Sequence, residues 1–221
     1  MIIAVFGGSG NIGSFVLEKA LNNGQKVKAY VRSPKKILIN RRNLEIELNE
    51  YEKIKQTIRG VDVVISALGP SMSPKAKGFP ILEGHENIVR AMKAENIKRF
   101  ITLATPSIKF KNDKPSLMTR FPGIIARLFL PRAYKEIVAI GEEVKRSDLD
   151  WTIVRIISPT DKEPTGSAKV SFGGKGLNFG VSREDIAGFM LKQATDNQFV
   201  GSMPIIINIK KSAAEEKKQW I

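Results

Sequence analysis

The strongest constraint on this chain lies at its start. The apolar run Ile2-Ile3-Ala4-Val5-Phe6 meets Gly7-Gly8-Ser9-Gly10-Asn11-Ile12-Gly13 and leads without a break into a helix-periodic stretch. A continuous apolar run suits a strand buried on both faces, as in a parallel sheet. Ile12, Phe15, Val16, Ala20 and Leu21 then fall on one helical face, and Asn23-Gly24 supplies the stop. Strand, glycine turn and helix in that order bring the free N–H groups of a helix start close to a pyrophosphate. The turn fits both G-x-x-G-x-x-G (Gly7, Gly10, Gly13) and G-x-G-x-x-G (Gly8, Gly10, Gly13). Glycines also serve ordinary tight turns, so the flanking strand and helix are what point to a dinucleotide. Ser9, Asn11 and Ile12 share the turn and are expected to contact it too.

The second strand, Val27 to Val31, ends in Arg32-Ser33-Pro34-Lys35-Lys36, with no acid between Gln25 and Asn43. In a dinucleotide fold an acid at this distance accepts the ribose hydroxyls of NAD, whereas an arginine accommodates the extra phosphate of NADP. Arg32 and Ser33 therefore predict NADP(H) in preference to NAD(H); a solvated basic loop is the alternative. Leu44 to Leu48 reads as a third strand that puts Glu47 and Leu48 near the adenine, and Asn49 with Glu52 starts a helix in the capping-box manner. Val61 to Gly69 is a fourth buried strand whose end, Ala67-Leu68-Gly69, points at the same crevice. After a Pro-, Ser- and Lys-rich loop comes a helix with Ile81, Leu82, Ile88, Val89 and Met92 at helical spacing. His85, the only histidine, shares that apolar face, where a core histidine with a satisfied ring is expected rather than an acid/base. Arg99 to Leu103 is a fifth strand, running into Ala104-Thr105-Pro106-Ser107. The alternation predicts an α/β chain with a doubly wound, mainly parallel sheet.

At 221 residues, 42% hydrophobic and 26% charged, one domain over 1–221 is expected. No apolar run approaches the roughly 18 residues of a membrane span, so no membrane partner is expected. The first residues enter a core strand, which leaves no room for a signal peptide, and there is no cysteine; a cytoplasmic protein is the simplest reading. The +14 charge is spread along the chain and reads as a basic surface suited to an anionic cofactor. With no recognition motif, nucleic acid is not the expected partner, although Lys109 to Lys135 carries seven basic residues against one Asp. Gly173-Gly174-Lys175-Gly176 lacks P-loop spacing and reads as a hairpin turn. Ser182 with Asp185 caps a further helix.

Taken together, the glycine turn, Val31-Arg32-Ser33-Pro34, the Gly60 to Gly69 strand, Thr105-Pro106-Ser107, Asp150-Trp151-Thr152-Ile153-Val154-Arg155 and Ser182-Arg183-Glu184-Asp185-Ile186-Ala187 resemble the atypical short-chain dehydrogenase/reductase group. The likeness is to its NAD(P)H-binding members similar to biliverdin reductase B and bacterial NADH-flavin reductases, with the nitrogen-metabolite-repressor-like branch nearby. It implies a Rossmann fold with a small C-terminal substrate-side region (about 108–132 and 158–181). It also implies pyrophosphate on Gly7, Gly10 and Gly13, the ribose phosphate on Arg32, and the nicotinamide side on Ala67, Leu68 and Gly69. Thr105 and Ser107 stand where family members place small hydroxyl residues near the nicotinamide, which makes them candidate catalytic groups; both also suit local bonding at a strand end. Ile156 stands where the family usually has proline.

The Tyr-x-x-x-Lys pair of a standard short-chain dehydrogenase is missing: Tyr134 is followed four places on by Val138, and Lys135 points elsewhere on a helix. This disfavours ordinary carbonyl reduction or epimerisation, which needs a positioned acid. Hydride transfer to a flavin or quinone-like acceptor needs mainly stacking and close approach. The expected function is an NADPH-dependent reductase of such an acceptor, aromatic and anionic, with flavin a possible substrate; the alternative is an NADP(H)-sensing regulator without catalysis. From Pro115 to Pro131, Leu117, Met118, Phe121, Ile124, Ile125, Leu128, Phe129 and Leu130 interleave with Arg120 and Arg127. This segment is open to three readings: a lid over the acceptor, a dimer surface in a chain that is either monomer or dimer, or a membrane-surface helix.

Overall fold

Alternate side chains of β1 (Ile2–Phe6) enter two different cores. Ile3 and Val5 pack with Val16, Leu17 and Ala20, while Ala4 and Phe6 pack with Ile54, Ile58 and Ile88. A period of two on a strand with apolar residues at every position requires helices on both faces. The computed structural model describes residues 1–31, 44–47, 51–73, 75–166, 168–174 and 180–208, with the backbone alone at 44–47, 118–120 and 208.

From β1 the chain continues as α1 (Gly13–Asn22), β2 (Lys26–Tyr30), β3 (Leu44–Glu47), α2 (Tyr51–Ile58), β4 (Val63–Ser66), α3 (Pro80–Ala94) and β5 (Arg99–Ala104). It then forms α4 (Leu117–Phe129), α5 (Pro131–Lys145), β6 (Asp150–Arg155), β7 (Ser158–Thr160), β8 (Ala168–Ser171), β9 (Gly180–Ser182), α6 (Arg183–Lys192) and β10 (Ile205–Asn208). The main sheet has the order β3-β2-β1-β4-β5-β6-β10-β8, parallel except that β8 runs antiparallel to β10. This is the expected doubly wound Rossmann arrangement. Side chains of α1 and α6 fill one face, and those of α2, α3 and α5 fill the other.

Phe6 is in register with Tyr30 on one side and Ser66 on the other. The chain therefore leaves the sheet at Gly7 and Ala67 side by side, where the strand order reverses. In open α/β sheets that reversal opens a crevice beyond the strand ends.

Two local expectations meet different outcomes. Ser182 Oγ accepts the Asp185 N–H at 2.9 Å, so α6 starts on the cap its sequence announces. The glycine cluster at Gly173 is no β8–β9 hairpin, because β8 belongs to the main sheet while β9 pairs parallel with β7 in a separate two-stranded sheet. Its glycine serves close backbone approach instead: Gly173 has φ +98°, and a Cβ there would lie 2.4 Å from the Lys114 carbonyl oxygen. The Lys114 N–H donates to the Phe172 carbonyl at 2.7 Å, which fastens the segment after β5 to this region.

Candidate functional site

The glycine turn is closed on itself. The Gly10 N–H donates to the Gly7 carbonyl and the Ser14 N–H to the Gly10 carbonyl, both at 2.9 Å. A Cβ on Gly13 would sit 2.1 Å from the Gly7 oxygen, and Gly7, at φ +80°, would place one 3.0 Å from the Ala67 carbonyl carbon. Turn, helix start and β4 end are thus packed backbone against backbone, a closeness that only glycine permits. Helix α1 has no side chain capping its start, so no side chain offsets its positive end.

A cavity of about 470 Å³ opens there, lined by Gly7, Ser9, Gly10, Asn11 and, across the reversal point, Ala67, Leu68 and Gly69. Tyr30, Ile81, Gly84 and Ile88 supply further walls. Ile12 is half-buried and packs on the core beside α1, and Gly13 is buried beneath the turn. Arg32, Ser33 and Leu48 lie outside the described residues, and so does the side chain of Glu47, which ends β3. The donor set fits a dinucleotide: backbone N–H groups and an uncapped helix start at one end, apolar and small residues at the other.

His85, on the same helix as the wall residues Ile81, Gly84 and Ile88, is fully buried. Its Nδ1–H donates to the Ile81 carbonyl at 2.8 Å, and Nε2 lies 3.1 Å from both Ser66 Oγ and Thr102 Oγ1. In the neutral tautomer the single lone pair of Nε2 accepts from one of these hydroxyls, so both ring nitrogens are satisfied. Burial lowers its pKa from 6.5 to about 4, against smaller opposing effects of the Ile81 carbonyl and Glu136. The histidine is a polar tie between α3, β4 and β5, as its place on an apolar face predicts.

The loop between β4 and α3 is held from α5. The buried Glu136 carboxylate accepts the N–H groups of Ile81 at 2.7 Å and Leu82 at 3.3 Å, capping α3 from outside. Arg132 donates to the same carboxylate at 2.9 Å and to the carbonyls of Gly78 and Ser71.

Beyond the end of β5 lies a second cavity of about 550 Å³. Ser107, Lys109, Phe110 and Lys114 line it from the segment after β5, Gly123, Ile124 and Arg127 from α4, and Tyr134 from α5. The substitute Cβ at Gly123 would be 3.5 Å from Ser107 Oγ, so α4 passes close over that hydroxyl. Thr105 is half-buried, and its Oγ1 accepts the Ser107 N–H at 3.4 Å, a turn bond after the strand. Of the two candidate hydroxyls, Ser107 therefore lines this cavity, while Thr105 bonds within the turn that leads to it.

Sequence reasoning set Tyr134 aside for want of a lysine one turn on, yet the fold brings its side chain to the same cavity as Ser107. It also missed what holds the cavity wall. Arg155, fully buried at the end of β6, donates to Asp113 through two bonds of 2.5 and 2.7 Å, to the Ile108 carbonyl at 3.0 Å and to the Met203 carbonyl at 2.8 Å. A signal existed: an arginine after Thr152-Ile153-Val154 in a buried strand needs an acid, and Asp113 is the only acid between Glu95 and Glu136. With Asp113 so engaged, Lys109, Lys114 and Arg127 leave the cavity positively charged.

Comparison with known proteins agrees with this geometry. A family model described as NAD(P)H-binding matches residues 7–197. A UPF0659 protein of Schizosaccharomyces pombe is 27% identical over 219 residues, 90% of this chain and 86% of its own. Among solved structures, the anaerobilin reductase ChuY of Escherichia coli O157:H7 superposes with a TM-score of 0.78 at 18% identity, covering 96% of this chain and 99% of that one. A short-chain dehydrogenase/reductase of Veillonella parvula in complex with NADP superposes with a TM-score of 0.71 at 16% identity, covering 95% of each chain. At such identities the superpositions establish a common fold.

Proposed function

Since this chain belongs to the NAD(P)H-binding family, we propose that it is an NADPH-dependent reductase that delivers hydride to a flavin or quinone-like acceptor. The reading is carried by the pairing of a glycine-turn cavity at the end of β1 and β4 with a basic, partly aromatic cavity at the end of the next strand, β5. When bound, the dinucleotide supplies the hydride. In this reading the turn from Gly7 to Gly13 fixes its pyrophosphate, Arg32 and Ser33 its ribose phosphate, and Ala67 to Gly69 border its nicotinamide end.

Lys109, Lys114 and Arg127 attract an anionic acceptor, and Phe110 offers it an apolar face. Tyr134 and Ser107 border the same space. Tyr134 has no lysine one turn on to tune it, which favours an acceptor that spreads the arriving charge over its own ring system and can take its proton from water. The NADP named with the Veillonella neighbour and the reductase name of ChuY support the reading by analogy.

The test follows NADPH absorbance with FMN, FAD, riboflavin and a set of quinones. Turnover with at least one, lost on addition of a competing aromatic anion, is the expected result. Tight NADPH binding with no turnover across the panel refutes the reductase and leaves a sensor of the dinucleotide.

A further inference from the structure

Six of the nine large apolar side chains exposed among the described residues lie on one helix, α4. They are Leu117, Phe121, Ile124, Ile125, Leu128 and Phe129, with Leu117 82%, Leu128 70% and Phe129 76% exposed. At 3.6 residues per turn all six fall within an arc of about 140°, so they form one continuous apolar face. Among the described residues no other element covers it. Basic residues surround it: Lys109, Lys111 and Lys114 lead into the helix, Arg127 flanks the face and Lys135 follows, all exposed. The single acid of this stretch, Asp113, is tied to the buried Arg155.

Charge selects the occupant. A second copy would bring the same cations, on a chain of net charge +14, against themselves. A bilayer asks for no matching shape. It takes up an amphipathic helix with cationic flanks in the plane of its interface, and anionic lipid adds attraction for each nearby Lys or Arg.

We propose that α4 docks this protein on an anionic lipid surface, with its apolar face among the upper acyl chains and its basic flanks at the headgroups. The sequence gives no reason to expect a membrane partner from length alone, and among the described residues no helix is long and apolar enough to cross one. Surface docking needs only the face. Because Gly123 and Ile124 on the same helix wall the second cavity, that cavity would open beside the lipid.

The experiment is flotation of the full chain with vesicles of phosphatidylcholine containing phosphatidylglycerol, beside vesicles of phosphatidylcholine alone. The Phe121→Ser, Leu128→Ser double variant leaves the charge unchanged and alters two exposed side chains. Strong flotation of the parent with the anionic vesicles, weakened at least about tenfold in the double variant, supports the proposal. A Phe121→Trp variant, read independently, should show a blue-shifted emission with those vesicles. Equal flotation of parent and double variant means adsorption of a cationic protein and overturns docking by α4. Absence of flotation, or a lipid-free dimer that the double variant abolishes, overturns it as well.

Discussion

The buried histidine gives the sharpest quantitative prediction. His85 is neutral in the fold, with all its ring nitrogens engaged, and its pKa is lowered from 6.5 to about 4. Unfolding releases it to water, where it takes up a proton below its ordinary pKa. The depressed value means that the contribution is fully present above pH 6.5, is lost as pH falls from 6.5 toward 4, and changes no further below that. At about 1.4 kcal/mol per pH unit, the loss across the window is about 3 kcal/mol, a large part of a typical stability of about 5–15 kcal/mol. Carboxylates titrate in part of the same range, so the measurement is the difference between the parent and His85→Gln in urea unfolding at a series of pH values. The parent should lose about 3 kcal/mol more than the variant between pH 7 and pH 4. Equal pH slopes in the two proteins would refute the neutral buried tautomer and reopen an acid/base role for this residue.

Gly13→Ala forces a methyl against the Gly7 carbonyl oxygen, so the turn must shift; a loss of about 2 kcal/mol of stability in chemical denaturation and a loss of NADPH affinity in calorimetry are expected together. Asp113→Ala leaves the Arg155 guanidinium buried with carbonyl partners only and should cost about 3–5 kcal/mol by thermal or urea unfolding, with faster proteolysis in the segment after β5. Tyr134→Phe and Ser107→Ala should change acceptor turnover while leaving NADPH affinity within about twofold, measured by steady-state kinetics beside calorimetry.

What could be read from the chain before its fold was known divides along physical lines. The glycine turn, the buried strands and the Ser182 cap are local: each needs only neighbours in sequence, and each is found where the pattern puts it. His85 was legible by half. Its place on an apolar helical face marks a core residue, but Ser66 and Thr102, its partners, come from strands that only the sheet order brings together. The second cavity was the least legible part, because it gathers residues from the β5 end, α4 and α5 that only the tertiary fold brings together. Gly173 illustrates the same limit: a glycine cluster announces an unusual backbone, and the Lys114 carbonyl that requires it lies far away in sequence.

The measurement closest to the centre of this reading is a calorimetric titration of NADPH and NADH into the parent and the Arg32→Ala variant. An arginine bonded to the extra phosphate predicts NADPH binding at least about tenfold weaker in the variant and NADH binding unchanged. Equal loss of both dinucleotides, or a parent that binds neither, would contradict it.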